Sequence, residues 1–284
     1  MKVPKLNGFQ RTFLIAATMC VAGQLAYANP VGPVVVNGQA TIATQGNLLS
    51  VTNTPGAIIN WQQFSIGSNE TTRFIQQSAA SAILNRVVGV DPSKILGTLQ
   101  SNGRVFLINP NGILFGTNAR IDVAGLVAST LNLSNQDFIA GRMNFVGDPT
   151  RAAAVVNQGR ITASAGGGVY LLGSAVDNQG VITAPNGDIV LAAGKSVRVT
   201  EGATPGVQVE ITAPADSTIN LTELAYGGSG IYSGLVKNSG VVSADSAVRG
   251  ADGSIILKAS NGVTLASGSR VSANGVDGGR VVVE

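Results

Sequence analysis

Downstream of residue 28, the chain is a series of short apolar segments separated by turn-forming residues. Typical segments lie at 34–36, 57–61 and 105–108, and they are rich in Val, Ile and aromatic residues. Runs of this length bounded by Gly, Asn, Ser and Pro predict strands. Neither a heptad nor a 3.6-residue period is present, and we therefore predict an all-β fold.

The downstream half repeats itself. Residues 157–163 (NQGRITA) recur 21 residues later as 178–184 (NQGVITA) and again as 238–244 (NSGVVSA). Glycine followed by an apolar strand recurs between and after these copies, at 167–174, 186–194, 252–260 and 277–284. Self-similarity at about 20 residues, with alternating turns and short strands, predicts a parallel β-helix whose coils stack about 4.8 Å apart.

Asparagine opens each of the three copies, as Asn157, Asn178 and Asn238. Asparagine tolerates the left-handed corner conformation and can stack in a hydrogen-bonded ladder. We therefore predict corner or ladder positions for these three residues, and not ligands.

Residues 104–116 (RVFLINPNGILFG) join two apolar runs through a dense turn sequence. Asn109 can accept a hydrogen bond from the backbone two residues on, Pro110 presets its own φ, and Asn111-Gly112 tolerates positive φ. Continuous apolar runs this short are typical of strands that are buried on both faces. The segment therefore predicts a buried corner between two strands.

The upstream half repeats less clearly. Residues 34–42 predict a hairpin or a first coil, and residues 134–141 (SNQDFIAG) predict a single helical turn capped by Ser134. Because an open end of a β-helix exposes strand edges and apolar interior, we expect this irregular region to include an N-terminal cap. We divide the chain into a leader at 1–28, a cap and core at 29–147, and continuing coils at 148–284 that belong to a longer repeat region.

The first 28 residues have the three parts of a secretory signal peptide. Lys2, Lys5 and Arg11 precede an apolar stretch, and Ala28-Asn29 is the predicted cleavage site. Removing this leader leaves 15 basic and 15 acidic residues, no cysteine and no histidine. A formal charge of zero argues against nucleic acid or an anionic membrane as partner. The missing imidazole and thiol exclude Ser-His-Asp and Cys-His catalysis and imidazole metal sites.

A parallel β-helix can also carry an enzyme that acts on polysaccharide. Such an enzyme groups charged residues on neighbouring coils, whereas Asp188, Asp252 and Asp277 stand at turns, where acids are typically solvated. Asp245 with Asp252 and Asp277 also lacks the spacing of a calcium repeat, so we predict no metal and no cofactor. A carboxylate pair across two coils stays open, because adjacency between coils needs the register.

Several strings upstream of residue 147 resemble one family. They are LNRVVG at 84–89, ILG at 95–97, NGRVFLI at 102–108, NPNGI at 109–113, ASTL at 128–131 and DF at 137–138. The chain resembles the N-terminal secretion domain of two-partner-secreted exoproteins of the filamentous haemagglutinin type. A second motif of that family, Asn-Pro-Asn-Leu or Asn-Ser-Asn-Leu, has no clean match, and the nearest fragment is residues 131–133.

The resemblance implies a right-handed β-helix with an N-terminal cap, short extra-helical hairpins and a secretion-domain core at 29–147. It implies recognition in the periplasm by an outer-membrane β-barrel transporter with periplasmic domains, and folding outside the cell. The domain would serve a large secreted or surface-bound adhesin and would itself be no enzyme, with no small-molecule substrate. Its downstream regions are left open to a host or cell-surface receptor.

The resemblance also assigns candidate residues. The candidate secretion motif consists of Asn109, Pro110, Asn111, Gly112 and Ile113. Asn85 and Arg86 are candidates for contact with the transporter or for a cap. Two alternatives stay open: a secreted β-helix enzyme acting on polysaccharide, and the export domain of a cytolysin or contact-dependent toxin.

Overall fold

A computed structural model describes residues 29–148, 150–201, 207–212, 218–219, 231–232, 234–245, 253–275 and 278–284. The predicted signal peptide with Ala28, and the turn acids Asp252 and Asp277, lie outside these described residues. Within the described part of the chain, no helix is both long and apolar enough to cross a membrane.

Strands make up nearly all of the regular structure. The upstream elements are β1 (Val34–Asn37), β2 (Ala40–Gln45), β3 (Leu48–Asn53), β4 (Ala57–Trp61), β5 (Thr71–Ile75), β6 (Ala82–Val87), β7 (Ser93–Ile95), β8 (Thr98–Ile108), β9 (Ile113–Phe115), β10 (Arg120–Ser129), β11 (Asn132–Leu133), the short helix α1 (Asn135–Ile139) and β12 (Met143–Val146). The downstream elements are β13 (Ala154–Asn157), β14 (Arg160–Ala163), β15 (Val169–Gly173), β16 (Ala175–Asn178), β17 (Val181–Thr183), β18 (Asp188–Ala193), β19 (Ser196–Glu201), β20 (Val207–Thr212), β21 (Thr218–Ile219), β22 (Ile231–Tyr232), β23 (Leu235–Asn238), β24 (Val241–Ser243), β25 (Ser254–Ala259), β26 (Gly262–Leu265), β27 (Arg270–Ser272) and β28 (Arg280–Val283).

Most strands stack in parallel to form the three faces of a tube. The first face is β4-β6-β8-β10-β15-β18-β25-β28, the second is β5-β8-β10-β14-β17-β24-β27, and the third is β7-β9-β13-β16-β23-β26. β8 and β10 are long enough to serve two faces, with their first halves on the second face and their second halves on the first. The predicted parallel β-helix is confirmed.

One continuous apolar core fills the tube. Inward side chains of successive coils stack on one another from Leu49 to Ala273. Near the N-terminal end the interior holds aromatic rings, with Phe64 edge-on to Trp61 at a centroid distance of 5.7 Å and stacked on Phe74 at 6.4 Å. The core crosses residue 147 without interruption, and the division of the chain there stays a prediction.

Antiparallel pairing closes the N-terminal end. β1 pairs antiparallel with β4, and β2 pairs antiparallel with β3. In the expected hairpin at 34–42, β1 and β2 would pair with each other, but β2 turns back onto β3 through the two-residue loop at 46–47. These antiparallel strands supply the cap that the open edge of the first coil needs.

A second antiparallel sheet lies outside the tube. It has the order β11-β12-β19-β20 and, together with α1, covers outward apolar side chains of the first face. Phe138 of α1 packs edge-on against Phe106 of β8 at a centroid distance of 5.1 Å. The predicted helical turn is confirmed, since the Ser134 side chain accepts a hydrogen bond from the backbone N–H of Asp137.

The three repeated asparagines form a ladder on the third face. Nδ2 of Asn157 donates to Oδ1 of Asn178 at 2.8 Å, and Nδ2 of Asn178 donates to Oδ1 of Asn238 at 2.7 Å. All three side chains are buried. The prediction of ladder positions is confirmed, because equal positions in successive coils come into register across the parallel strands.

Candidate secretion site

The corner between β8 and β9 is a tight turn built by Asn109, Pro110, Asn111 and Gly112. The backbone N–H of Gly112 donates to the carbonyl oxygen of Asn109 at 3.1 Å and closes the turn. Gly112 has a φ of 118°, a conformation that a side chain would strain. The buried corner predicted from the sequence is therefore present.

Both polar atoms of the Asn109 side chain form hydrogen bonds within the fold. Its Nδ2 donates to the carbonyl oxygen of Asp91 and to Oγ of Ser93, both at 3.0 Å. Its Oδ1 accepts from the backbone N–H and from Nδ2 of Asn111, at 2.9 and 3.1 Å. The Asn109 side chain is fully buried, and its hydrogen bonds join this turn to the preceding coil.

Asn111 faces outward and links three parts of the chain. Its Nδ2 donates to the carbonyl oxygen of Gly89 at 2.9 Å, and its Oδ1 accepts from a guanidinium nitrogen of Arg151 at 2.9 Å. Asn111 and Pro110 are half-buried, whereas Asn109 and Gly112 are buried. Pro110 and Asn111 are thus the polar corner's two partly accessible residues.

Ile113 continues the corner into the core. It is fully buried and stands opposite Ser93 of the preceding coil and Val155 of the following one. Because Ile113 lies in the core between two coils, it fixes the register in which β9 joins the third face.

Asn85 lies inside the tube. Its Oδ1 accepts from the indole Nε1 of Trp61 at 3.0 Å, and its Nδ2 donates to the carbonyl oxygen of Phe106 at 3.3 Å. The side chain is fully buried, so it is not accessible to a partner in the folded domain. Its place satisfies an indole N–H that the apolar core would otherwise leave without an acceptor.

Arg86 points the opposite way and holds the extra-helical elements to the tube. Its guanidinium donates to the carbonyl oxygen of Leu133 at 2.6 Å and to the Oδ1 atoms of Asn132 and Asn135 at 3.2 and 2.8 Å. Burial lowers the pKa of Arg86, which nevertheless stays protonated in a protein. Arg86 therefore tethers β11 and the start of α1 to β6.

The candidate site residues lie close together along the stack of coils, but their side chains make different contacts. Asn85 and Arg86 pair in register with Leu107 and Ile108, directly before Asn109. Reasoning from the sequence missed Ser93 and Arg151, which bind the side chains of Asn109 and Asn111. The string Asp91-Pro92-Ser93 carries a turn signal that could have indicated the first, whereas no local signal pointed to Arg151.

Asp188 and Asp245 are held by structural hydrogen bonds. Asp188 accepts from Oγ of Ser254 of the neighbouring coil, and Asp245 accepts from Oγ of Ser272 and the backbone N–H of Asn274. Burial acts to raise the pKa of Asp245, but these donors outweigh it and lower the pKa. Within the described residues, no group of three or more acidic or other ligating side chains could hold a metal ion.

The fold defines a class of protein: a parallel β-helix closed by antiparallel strands at its N-terminal end. The family model of the TPS secretion domain matches residues 26–276, and the chain belongs to this family. The family membership that the sequence motifs indicate is confirmed. The family consists of secretion domains and is not an enzyme family, and membership implies a partner transporter of the TPS type.

Known proteins agree with this membership. The crystal structure of the HMW1 secretion domain from Haemophilus influenzae matches with a TM-score of 0.70 and 32% identity, over 90% of this chain and 74% of that one. The heme/hemopexin-binding protein of Haemophilus influenzae is 44% identical over 105 residues, which are 37% of this chain and 12% of that protein. The filamentous hemagglutinin of Bordetella pertussis is 40% identical over 91 residues, 31% of this chain and 2% of that protein. The chain thus matches a small part of these much longer relatives.

Proposed function

We propose that this chain is the export domain of a large secreted or surface-bound exoprotein of the adhesin type. In this proposal the signal peptide, cleaved between Ala28 and Asn29, delivers the chain to the periplasm, where an outer-membrane β-barrel transporter recognises it through periplasmic domains. The family match over residues 26–276 carries the proposal. The adhesin type is supported by the likeness to the secretion domains of such proteins.

The solenoid construction supports folding as the chain emerges. Each coil after the cap pairs with the coil before it, and the asparagine ladder and the core extend by one step per coil. A coil that has folded outside the cell cannot slide back through a pore, so nearest-neighbour folding favours outward movement without a nucleotide. The antiparallel strands β1 and β2 would provide the first edge on which coils form.

Within this function, we assign the secretion motif to Asn109, Pro110, Asn111, Gly112 and Ile113. The internal bonds of Asn109 and the burial of Ile113 support a role in shaping the corner, and the half-buried Pro110 and Asn111 are the residues of the motif open to the transporter. For Asn85 and Arg86 the contacts support structural roles outside the N-terminal cap: Asn85 accepts from the indole of Trp61 in the core, and Arg86 holds β11 and α1 to the tube.

The proposal is tested by secretion from cells that carry or lack the cognate transporter. We expect the full-length protein in the medium or on the surface when the transporter is present, and in the periplasm when its gene is deleted. A second exported protein that uses another route serves as control and is expected to be unchanged. Equal export in both strains would overturn the assignment.

The non-enzymatic character is part of the same proposal. Asp245, for example, accepts hydrogen bonds from Ser243, Ser272 and Asn274, and these contacts support a structural role for this carboxylate. A polysaccharide-active enzyme or the export domain of a toxin would instead be indicated by cleavage of polysaccharide or by lysis of target cells when the purified protein is added.

A further inference from the structure

A groove separates the first face of the tube from the extra-helical sheet, away from the secretion motif. It has a volume of about 1130 Å³. Its floor is formed by β8, β10 and β15, one wall by β12, β19 and β20, and the other wall by the turn at 164–168. A concave surface of this size, lined by mixed apolar and polar groups, has the dimensions of a ligand site.

The turn at 164–168, which forms one wall of the groove, exposes backbone for a physical reason. A Cβ atom on Gly167 would lie 1.8 Å from the carbonyl oxygen of Ala124 in the preceding coil. The coils can therefore stack at this corner only without a side chain at Gly167. Gly125 and Gly168 also line the groove, next to the side chain of Arg104 and the half-buried ring of Tyr170.

Guanidinium groups dominate the charged lining. Arg104, Arg142 and Arg198 line the groove, against the single carboxylate of Asp188 among its described lining residues. Arg142 forms an ion pair with Asp137 at 2.7 Å. The contact of Arg198 with Glu210 is longer, at 3.8 Å, and both of these side chains are largely exposed.

Arg104 is the guanidinium best placed to take up a ligand. Within the described residues its guanidinium donates one hydrogen bond, to the carbonyl oxygen of Ala80 at 2.9 Å, and pairs with no carboxylate. An arginine fork matches the two oxygens of a carboxylate. Since Arg198 is only loosely paired, the groove presents two guanidinium groups that can turn to an anion.

We propose that this groove binds a glycan chain that carries carboxylate groups, with a uronate on Arg104 and a sugar ring against Tyr170. Two guanidinium groups, one aromatic ring, and the polar side chains of Asn144 and Thr200 along one groove suit a chain of sugar rings that carries carboxylates. A nucleic acid is disfavoured, because residues 29–284 carry equal numbers of basic and acidic residues. This inference does not rest on the export function.

The test is calorimetric titration of the purified, full-length secreted protein with a hexamer of galacturonate. We expect saturable binding that weakens at least tenfold in Arg104→Gln and is only partly kept in Arg104→Lys, because lysine cannot make the bidentate contact. Arg120→Gln is the matched control: this exposed arginine at the start of β10 does not line the groove, and its loss is expected to leave binding unchanged.

Each variant is checked for native circular dichroism and for wild-type secretion, which separates this proposal from the export function. Absence of binding to the hexamer, equal binding of a neutral hexasaccharide, equal or tighter binding of a single-stranded oligonucleotide, or an equal loss in Arg120→Gln would each overturn the proposal. Selective binding that depends on Arg104 would support it.

Discussion

The indole Nε1 of Trp61 donates to Oδ1 of Asn85 across a distance of 3.0 Å, and both side chains are fully buried. Replacing Asn85 by Leu would leave the indole N–H without an acceptor inside the core. A buried donor without a partner costs about 1–3 kcal/mol, and we expect the free energy of unfolding to fall by that amount. Urea unfolding followed by circular dichroism measures the change.

The same pair offers an internal control. Trp61→Phe removes the donor, so adding Asn85→Leu to that variant is expected to cost clearly less than Asn85→Leu costs in the wild type. If Asn85→Leu were equally costly in both backgrounds, the loss would come from packing and not from the hydrogen bond.

The secretion motif allows stability and export to be separated. We expect Asn109→Ala to lower the free energy of unfolding by about 2–3 kcal/mol, because it removes four hydrogen bonds from a buried corner. Asn111→Ala is expected to cost about 1 kcal/mol, since its half-buried side chain leaves groups that water can reach. Unfolding of the purified domain and the fraction of protein in the medium are measured for both variants.

If the transporter recognises the motif directly, Asn111→Ala is expected to be secreted less than a variant of the same stability whose motif is intact. Asn178→Ala, which weakens the ladder far from the motif, is the control for export of a destabilised domain. If secretion of all three variants simply follows their stability, the motif only shapes the fold and direct contact with the transporter loses its support.

Local patterns predicted the repeating part of the fold well. Asn157, Asn178 and Asn238 stand at equal positions in their copies, and parallel stacking brings equal positions together, so one repeat reveals both register and ladder. The corner at Asn109 could be predicted equally well, because the residues that determine a turn lie within four consecutive positions.

Contacts between distant segments could not be predicted in this way. The role of Asn85 depends on Trp61, 24 residues away, and that of Arg86 depends on Leu133, 47 residues away. The first separation is one coil of the tube, and the second follows from where the chain leaves the tube to form β11; no local signal encodes either. The groove was missed for the same reason, since β19 and β20 leave the solenoid to form its wall.

The asparagine ladder should be sensitive at its middle rung. Asn178→Ala removes one hydrogen bond to each neighbouring coil, so the buried Nδ2 of Asn157 and Oδ1 of Asn238 lose their partner in the ladder. We expect a loss of about 2–3 kcal/mol, measured by urea unfolding. Gln158→Ala, one position after the first rung, is the matched control, because its side-chain contact with Gln179 is 3.4 Å long and only partly buried. A similar loss in both variants would contradict a special role for the ladder.

The start of the extra-helical region should loosen in acid. The guanidinium of Arg142, bonded to Asp137 at 2.7 Å, and the hydroxyl of Ser134 together hold the pKa of Asp137 below its usual range. A carboxyl whose pKa is lower in the folded state stabilises that state above its unfolded pKa of about 3.9, and the stabilisation is lost as the pH falls towards the lowered value. We therefore expect amide protection in α1 and β12 to decrease below about pH 4, while the core strands keep theirs.

Hydrogen exchange at peptide resolution, corrected for the intrinsic rate at each pH, measures this loosening. Arg142→Gln is the informative variant, because without the guanidinium the pKa of Asp137 returns towards its ordinary value and the dependence on pH becomes shallower. The protection of α1 at neutral pH is then expected to be lower than in the wild type. Should the variant show the same loss in acid as the wild type, another group would be responsible and the pair Asp137–Arg142 would not stabilise the attachment of α1.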